Sequence, residues 1–253
     1  MKKIGIVGGV GWRSTVEYYS EICHRSEQLQ VARRPGAVPA MPEISIESLD
    51  LSRAVAYLGT DDDEASWQQF DEYHRAALRR LEAGRADFAL IASNTAHHRF
   101  DAIVHGIKIP VISIFDEAAK QCARIGTTEL LILGTAVTME SAKIREGFER
   151  HGIRAAGPQD GSVRRATISL IAKLQLGHVD GAAEQVAEIA GSSFVSQFNS
   201  HPTVCLACTE LPLAFPEQRM VAVFEHDRIH YINTSAAHIN AALEFAWDTD
   251  TMK

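Results

Sequence analysis

Short apolar runs rich in β-branched residues and closed by Gly, Ser or Thr alternate along the chain with stretches of roughly 12–20 residues whose apolar positions recur at helical spacing. The runs predict strands at 3–7, 43–47, 88–92, 111–114, 129–133, 203–207 and 220–223, with a weak one at 157–158. The periodic stretches predict helices at 14–28, 66–83, 100–104, 117–125, 141–151, 165–176, 182–196 and 234–246. Strands separated by helices build a mostly parallel sheet with helices on both faces, so the fold class is α/β.

The pattern also repeats. Residues 4–24 (IGIVGGVGWRSTVEYYSEICH) run strand, glycine turn, Ser/Thr and amphipathic helix, and residues 130–151 (LLILGTAVTMESAKIREGFERH) follow the same order. The segment FALIASNTAHH at 88–98 parallels TVCLACTELPL at 203–213, each an apolar strand ending in a small residue and a polar triplet. Two pseudosymmetric lobes are therefore expected, one from 1–115 with a closing helix in 225–253 and one from 116–224. Their strand-end loops are expected to face each other across a cleft, because open α/β sheets bind ligands beyond the carboxyl ends of their strands.

Composition narrows the choice. A chain of 253 residues with 46% hydrophobic and 23% charged residues suits a globular protein of two such lobes. No apolar run approaches the roughly 20 residues of a membrane span, so no membrane partner is expected. The glycines, Trp12 and Arg13 interrupt the first apolar run before a signal-peptide core can form, which makes it a strand and a cytoplasmic location the expectation. A net charge of −7 with scattered Arg pairs argues against a nucleic-acid partner.

Four cysteines without a secretory signal are expected to be reduced. Cys205-Leu-Ala-Cys208 matches C-x-x-C but has no second pair and does not open a helix, so neither zinc nor redox use is expected. The His97-His98 and His226-x-x-x-His230 pairs lack a third ligand at motif spacing, and the acidic run 61–64 reads as a solvated loop feeding a helix. Gly9-x-Gly11-x-x-Ser14 lacks the third glycine of a dinucleotide fingerprint, and the nearest acidic strand-end residue, Glu47, lies too far on. No P-loop is present. No cofactor and no metal are expected.

The two strand-end triplets carry the chemistry. Main-chain N–H groups that leave a strand bind carboxylate oxygens, and the side chains of Asn94, Thr95 and Thr209 add donors, a clamp suited to a small acidic amino acid or dicarboxylate. The positive potential of such a turn lowers a thiol pKa from its usual value near 8.5, which would let Cys208 exchange protons. The plain alternative is that Cys208 is a small buried strand-end residue.

Taken in order, Gly8-Gly9-Val10-Gly11-Trp12-Arg13-Ser14-Thr15, Ser93-Asn94-Thr95-Ala96-His97, Gly134-Thr135 with Thr138-Met139, and Cys208-Thr209-Glu210-Leu211-Pro212-Leu213 resemble the successive signatures of the aspartate/glutamate racemase superfamily. The resemblance spans almost the whole chain, and its Cys-Thr-Glu-Leu-Pro-Leu block is the most specific part. It implies racemisation of an acidic amino acid without pyridoxal phosphate, by two thiols on opposite faces of the α-carbon, in a homodimer. Cys208 occupies one thiol position and Ser93 the other, where a serine hydroxyl is too weak an acid to exchange protons as a thiol does. Three explanations stay open: an engineered Cys-to-Ser change; a natural one-thiol isomerase or decarboxylase of a small dicarboxylate, as in maleate isomerases and arylmalonate decarboxylases; or an amino-acid binder without turnover.

The resemblance also implies substrate contacts at Gly9, Gly11, Trp12, Asn94, Thr95, Thr135, Thr138, Thr209 and Glu210, the glycines allowing close approach to the backbone. Basic residues that meet the distal carboxylate in this family are missing after the second strand, which continues Glu47-Ser48-Leu49-Asp50, leaving Arg165 as the candidate clamp. Glu210 is expected to cap the turn before Pro212 or to tune Cys208, and His97 to orient the Ser93 loop or assist a proton.

Overall fold

The first apolar run forms β1 (Ile4–Gly8), every residue of which is buried. It pairs in parallel with β2 (Ile44–Ser48) on one side and β3 (Phe88–Ile91) on the other, and β4 (Val111–Ile112) extends the sheet beyond β3. Parallel neighbours need crossovers, and α1 (Trp12–Arg33), α2 (Leu51–Ala56), α3 (Gln68–Ala83) and α4 (Phe100–Val104) lie in them. The computed structural model describes residues 1–33, 35–60, 62–198 and 201–247.

The second sheet repeats the plan. β5 (Glu129–Gly134) lies between β6 (Arg154–Ala156) and β7 (Thr203–Ala207), and β8 (Val223–His226) and β9 (Ile229–Asn233) form a hairpin whose β9 edge joins β7. The order β6-β5-β7-β9 reproduces β2-β1-β3-β4, with β8 added as an antiparallel edge. The intervening helices are α5 (Ile114–Arg124), α6 (Ala136–Glu140), α7 (Ala142–Glu149), α8 (Gly161–Gln175) and α9 (Ala182–Val195), and α10 (Thr234–Ala246) follows β9.

Alternation along the strands of this sheet builds two apolar layers. Leu131, Leu133, Val204, Leu206 and Tyr231 pack on the side of α8 and α9, whereas Leu130, Ile132, Cys205, Ala207 and Ile232 pack on the side of α5 and α7. With both faces covered the strands read as continuous apolar runs, the signature of buried parallel sheets. Cys208 joins the α8/α9 layer.

The chain divides into two compact units, Met1–Ser113 with Ile239–Lys253, and Ile114–His238. Residues 225–238, grouped with the first lobe from the sequence, therefore belong with the second, because β9 takes its parallel hydrogen bonds from β7. The hairpin was missed because its turn, Asp227-Arg228, places both residues at positive φ (49° and 60°) without a glycine, and its first strand is only partly buried. The division falls inside α10. Its C-terminal half seals the first unit, where the Lys2 N–H donates to the Ala246 carbonyl at 3.0 Å and the Phe88 and Phe245 rings lie 4.7 Å apart.

Other boundaries move for local reasons. The weak strand at 157–158 is β6, three residues earlier, and Gly157 follows it where a Cβ would collide with the Met139 carbonyl. The helix expected at 141–151 begins as α7 with Ser141 capping the Ile144 N–H at 3.0 Å. Asp160 caps α8 through the Ser162 N–H at 2.7 Å, which starts that helix before Arg165.

Candidate functional site

Within the second unit, β7 delivers Cys208 to the carboxyl edge of the sheet with only 6% of its surface exposed. Its Sγ donates to Glu210 Oε2 at 3.0 Å, and the Thr209 hydroxyl donates to the same oxygen at 3.0 Å. Gln175, the last residue of α8, donates to the other carboxylate oxygen at 3.4 Å. The 3-10 turn Leu211–Ala214 that follows takes no side-chain cap from Glu210. Of its two expected roles, capping and tuning the thiol, the carboxylate is turned to the thiol.

The thiol pKa lies well above its usual value, not below it. Burial is the largest cause, and the charge of Glu210 and its hydrogen bond to Sγ add to it. The main-chain N–H groups of Thr209 and Glu210 pull the other way, as expected of a strand-end turn, and are outweighed. In this form Cys208 is a neutral thiol with a carboxylate placed to accept its proton. Replacing Glu210 with Gln removes the carboxylate's contribution, so the thiolate should form at lower pH than in the parent. The midpoint should still lie above that of an ordinary thiol, because burial remains. The difference in ultraviolet thiolate absorbance between each protein and its Cys208→Ala derivative measures this, and an unmoved midpoint would show that the carboxylate has no hold on the thiol.

Within the first unit, β3 ends at Ile91, and Ser93 begins the turn that follows. Its hydroxyl accepts from the Ala96 N–H at 3.4 Å, and its carbonyl bonds His97 Nδ1 at 2.7 Å. A carbonyl only accepts, so Nδ1 carries the ring proton. The His97 ring stacks on Phe100 with centroids 5.1 Å apart. His97 thus orients the loop, while His98 packs on Trp67 at 4.7 Å, so the adjacent histidines have separate surroundings. Asn94 is 4% exposed, and neither amide atom has a hydrogen-bond partner among the described residues. A buried amide in that state costs about 1–3 kcal/mol, which a polar ligand relieves. Thr95, half-buried, opens the 3-10 turn Thr95–Arg99.

The glycine turn has a packing explanation. Gly9 has φ 88°, and a Cβ there would collide with the Leu49 main chain. Its N–H donates to Thr15 Oγ1 at 2.8 Å, and that hydroxyl reaches the Gly11 carbonyl at 3.2 Å. Trp12 is exposed on the first turn of α1, with the Arg13 guanidinium 4.6 Å from its ring centroid. In the second unit Thr135 caps α6 by accepting from the Thr138 N–H at 3.3 Å, and the two hydroxyls lie 2.9 Å apart, with Thr138 fully buried. Arg165 is exposed on α8, whereas Arg164 is tied to the Pro158 and Gln159 carbonyls and to Glu140. After β2, Asp50 caps α2 and Arg53 lies 4.9 Å over the Tyr73 ring. Gln175 escaped the sequence reading because nothing in it points to a residue 35 positions away.

Each unit thus ends a buried strand in a polar loop, Ser93-Asn94-Thr95 after β3 and Cys208-Thr209-Glu210 after β7. The chain belongs to the Asp/Glu/Hydantoin racemase family, which residues 7–242 match. It is thus an amino-acid racemase by family. A putative Asp/Glu racemase from Yersinia pestis shares 26% identity and superposes with a TM-score of 0.75, covering 97% of this chain and 99% of that one. An aspartate racemase homologue from Pyrococcus horikoshii has the same fold, at 24% identity, a TM-score of 0.73 and the same coverage. The glutamate racemase of Francisella tularensis, solved with D-glutamate, shares the fold at 15% identity and a TM-score of 0.63, covering 100% of this chain and 83% of that one. No helix among the described residues is long and apolar enough to cross a membrane.

Proposed function

We propose that the protein racemises an acidic amino acid, aspartate or glutamate, by proton transfer at the α-carbon, with Cys208 as acid and base on one face and Ser93 at the position of the second base. The observation that carries this reading is the Cys208 thiol hydrogen-bonded to Glu210 at the end of β7. The carboxylate takes the thiol proton, and the thiolate then removes the α-proton from carbon. Asn94, with its two unsatisfied amide atoms, and Thr95 are the candidates in the first unit for the substrate carboxylate, and Thr209, whose hydroxyl proton goes to Glu210, is the candidate in the second. Arg165 is the candidate for the distal carboxylate, since its guanidinium suits bidentate contact. The free thiols of Cys23, Cys122, Cys205 and Cys208 support a cytoplasmic setting. The homodimer implied by the resemblance is carried over as part of the reading.

A second reading, a one-thiol isomerase or decarboxylase of a small dicarboxylate, is favoured by Ser93 itself. Its hydroxyl accepts from the Ala96 N–H and no side-chain base activates it among the described residues. Loss of the α-proton signal in deuterated buffer tests the choice with L- and D-aspartate and L- and D-glutamate. The expected result is exchange of at least one enantiomer by the parent, abolished in Cys208→Ala. If all four amino acids keep their α-protons in both proteins, the racemase reading fails and the one-thiol reading moves ahead.

A further inference from the structure

The turn that carries Ser93 and Asn94 ends in a buried cation. Arg99 has a side chain 2% exposed and donates to two carboxylates at once. Its Nε and Nη2 reach Asp71 at 3.0 and 2.6 Å, and its Nη1 and Nη2 reach Glu64 at 2.8 and 2.6 Å. The two carboxylates differ in kind. Asp71, 8% exposed, sits on α3 and is part of the core. Glu64 is 71% exposed and belongs to the 3-10 turn Glu64–Trp67, of which Trp67 is the buried residue.

That turn is stiff. Asp63 caps it through the Ala65 N–H at 3.0 Å, the Ser66 hydroxyl accepts from the Thr60 N–H at 2.8 Å, and Trp67 Nε1 donates to the Thr60 carbonyl at 3.0 Å. A Cβ on Gly59 would lie 2.7 Å from the Trp67 ring, so Gly59 packs tightly against the turn. The turn meets the Ser93 loop at two successive residues, with Trp67 against His98 and Glu64 against Arg99. Asp71 alone pairs the buried charge, and an exposed carboxylate on the same cation adds little to stability.

We propose that Glu64 and Arg99 are positioning residues, a buckle by which the turn Glu64–Trp67 holds the Ser93–Arg99 turn so that the Asn94 amide meets the substrate carboxylate. The proposal rests on the racemase reading for the identity of that ligand, while the buckle itself is a property of the first unit. Removing the Glu64 charge leaves Arg99 paired with Asp71, so the fold is kept, but one of the two anchors that orient the guanidinium is lost. The turn then samples more positions, and a binding amide that is displaced for part of the time weakens binding.

Glu64→Gln is the test, because variants of the buried Arg99 lose stability and confuse the readout. With the amino acid that the parent turns over, KM for α-proton exchange should rise about tenfold, short of the roughly hundredfold that a full ångström of misplacement costs. The turnover number and the thermal midpoint should hardly move. A merely structural role would do the reverse, lowering turnover with the folded fraction while KM stayed constant. Native-state hydrogen exchange supplies the second readout: the amides of 93–99 should exchange about tenfold faster in Glu64→Gln, with those of β1 and β3 unchanged. Unchanged exchange at 93–99, or faster exchange throughout the unit, overturns the buckle, as does an unchanged KM. A parent that turns over none of the four amino acids sinks the racemase reading alone, and the exchange of 93–99 then decides the buckle by itself.

Discussion

Replacing Ser93 with cysteine should raise the rate at which D- and L-enantiomers of aspartate or glutamate interconvert by at least about a hundredfold, the lower end of what a positioned acid/base group contributes. The reason lies in the asymmetry between the two strand-end loops. Cys208 has an acceptor for its proton in Glu210, whereas the Ser93 hydroxyl accepts only the weak 3.4 Å bond from the Ala96 N–H. A thiol at position 93 is a far stronger acid than a hydroxyl, and it enters a half-buried position that already holds an Oγ. Chiral chromatography of the amino acid at timed intervals measures the gain. A Ser93→Cys protein that racemises no faster than the parent would argue that the loop at 93–95 binds substrate without exchanging its proton, as the one-thiol reading requires.

The second large effect concerns stability. Arg99→Leu should destabilise the protein by about 3–5 kcal/mol, because it leaves the Asp71 carboxylate buried without its cation. The double variant Asp71→Leu with Arg99→Leu should recover much of that loss, since an apolar pair replaces a charged one and no group is left uncompensated. Urea denaturation of the parent, Arg99→Leu, Asp71→Leu and the double variant closes the cycle. Equal losses in Arg99→Leu and the double variant would mean that the packing of Arg99 against Trp67, whose ring centroid is 5.5 Å away, matters more than the ion pair.

Much of the architecture was legible in the sequence because most strands of both sheets are parallel and the central ones are buried. Their strands are continuous apolar runs such as Phe88–Ile91 and Thr203–Ala207, and these ended within a residue or two of where they were expected. Three strands were misread, and one of them, β9, is buried and parallel like the rest but follows β8 through the hairpin turn. β6 is three residues long, and β8 is a partly buried antiparallel edge turned by a hairpin without glycine. At the site, the strand-end positions of Cys208 and Ser93 were readable from small residues closing apolar runs. What the sequence could not reveal was the sign of the Cys208 shift, since it depends on a desolvation and a carboxylate contact that only folding creates. The same holds for Arg99, whose partners lie 28 and 35 positions away. The glycine turn was legible as a turn, but its reason is the Leu49 main chain behind Gly9, a contact made by the residue that follows β2.

The division of the chain inside α10 has a consequence for how the molecule is made. The second unit is one uninterrupted stretch, Ile114–His238, and all its strands have left the ribosome before the last helix is complete. The first unit, although synthesised first, lacks the segment that covers Phe88 and receives the Lys2 N–H until Phe245 and Ala246 emerge. Vectorial synthesis therefore reverses the order of completion: the unit begun second is finished first, and in the unit that bears Ser93 Phe88 stays without its Phe245 neighbour until the second half of α10 emerges.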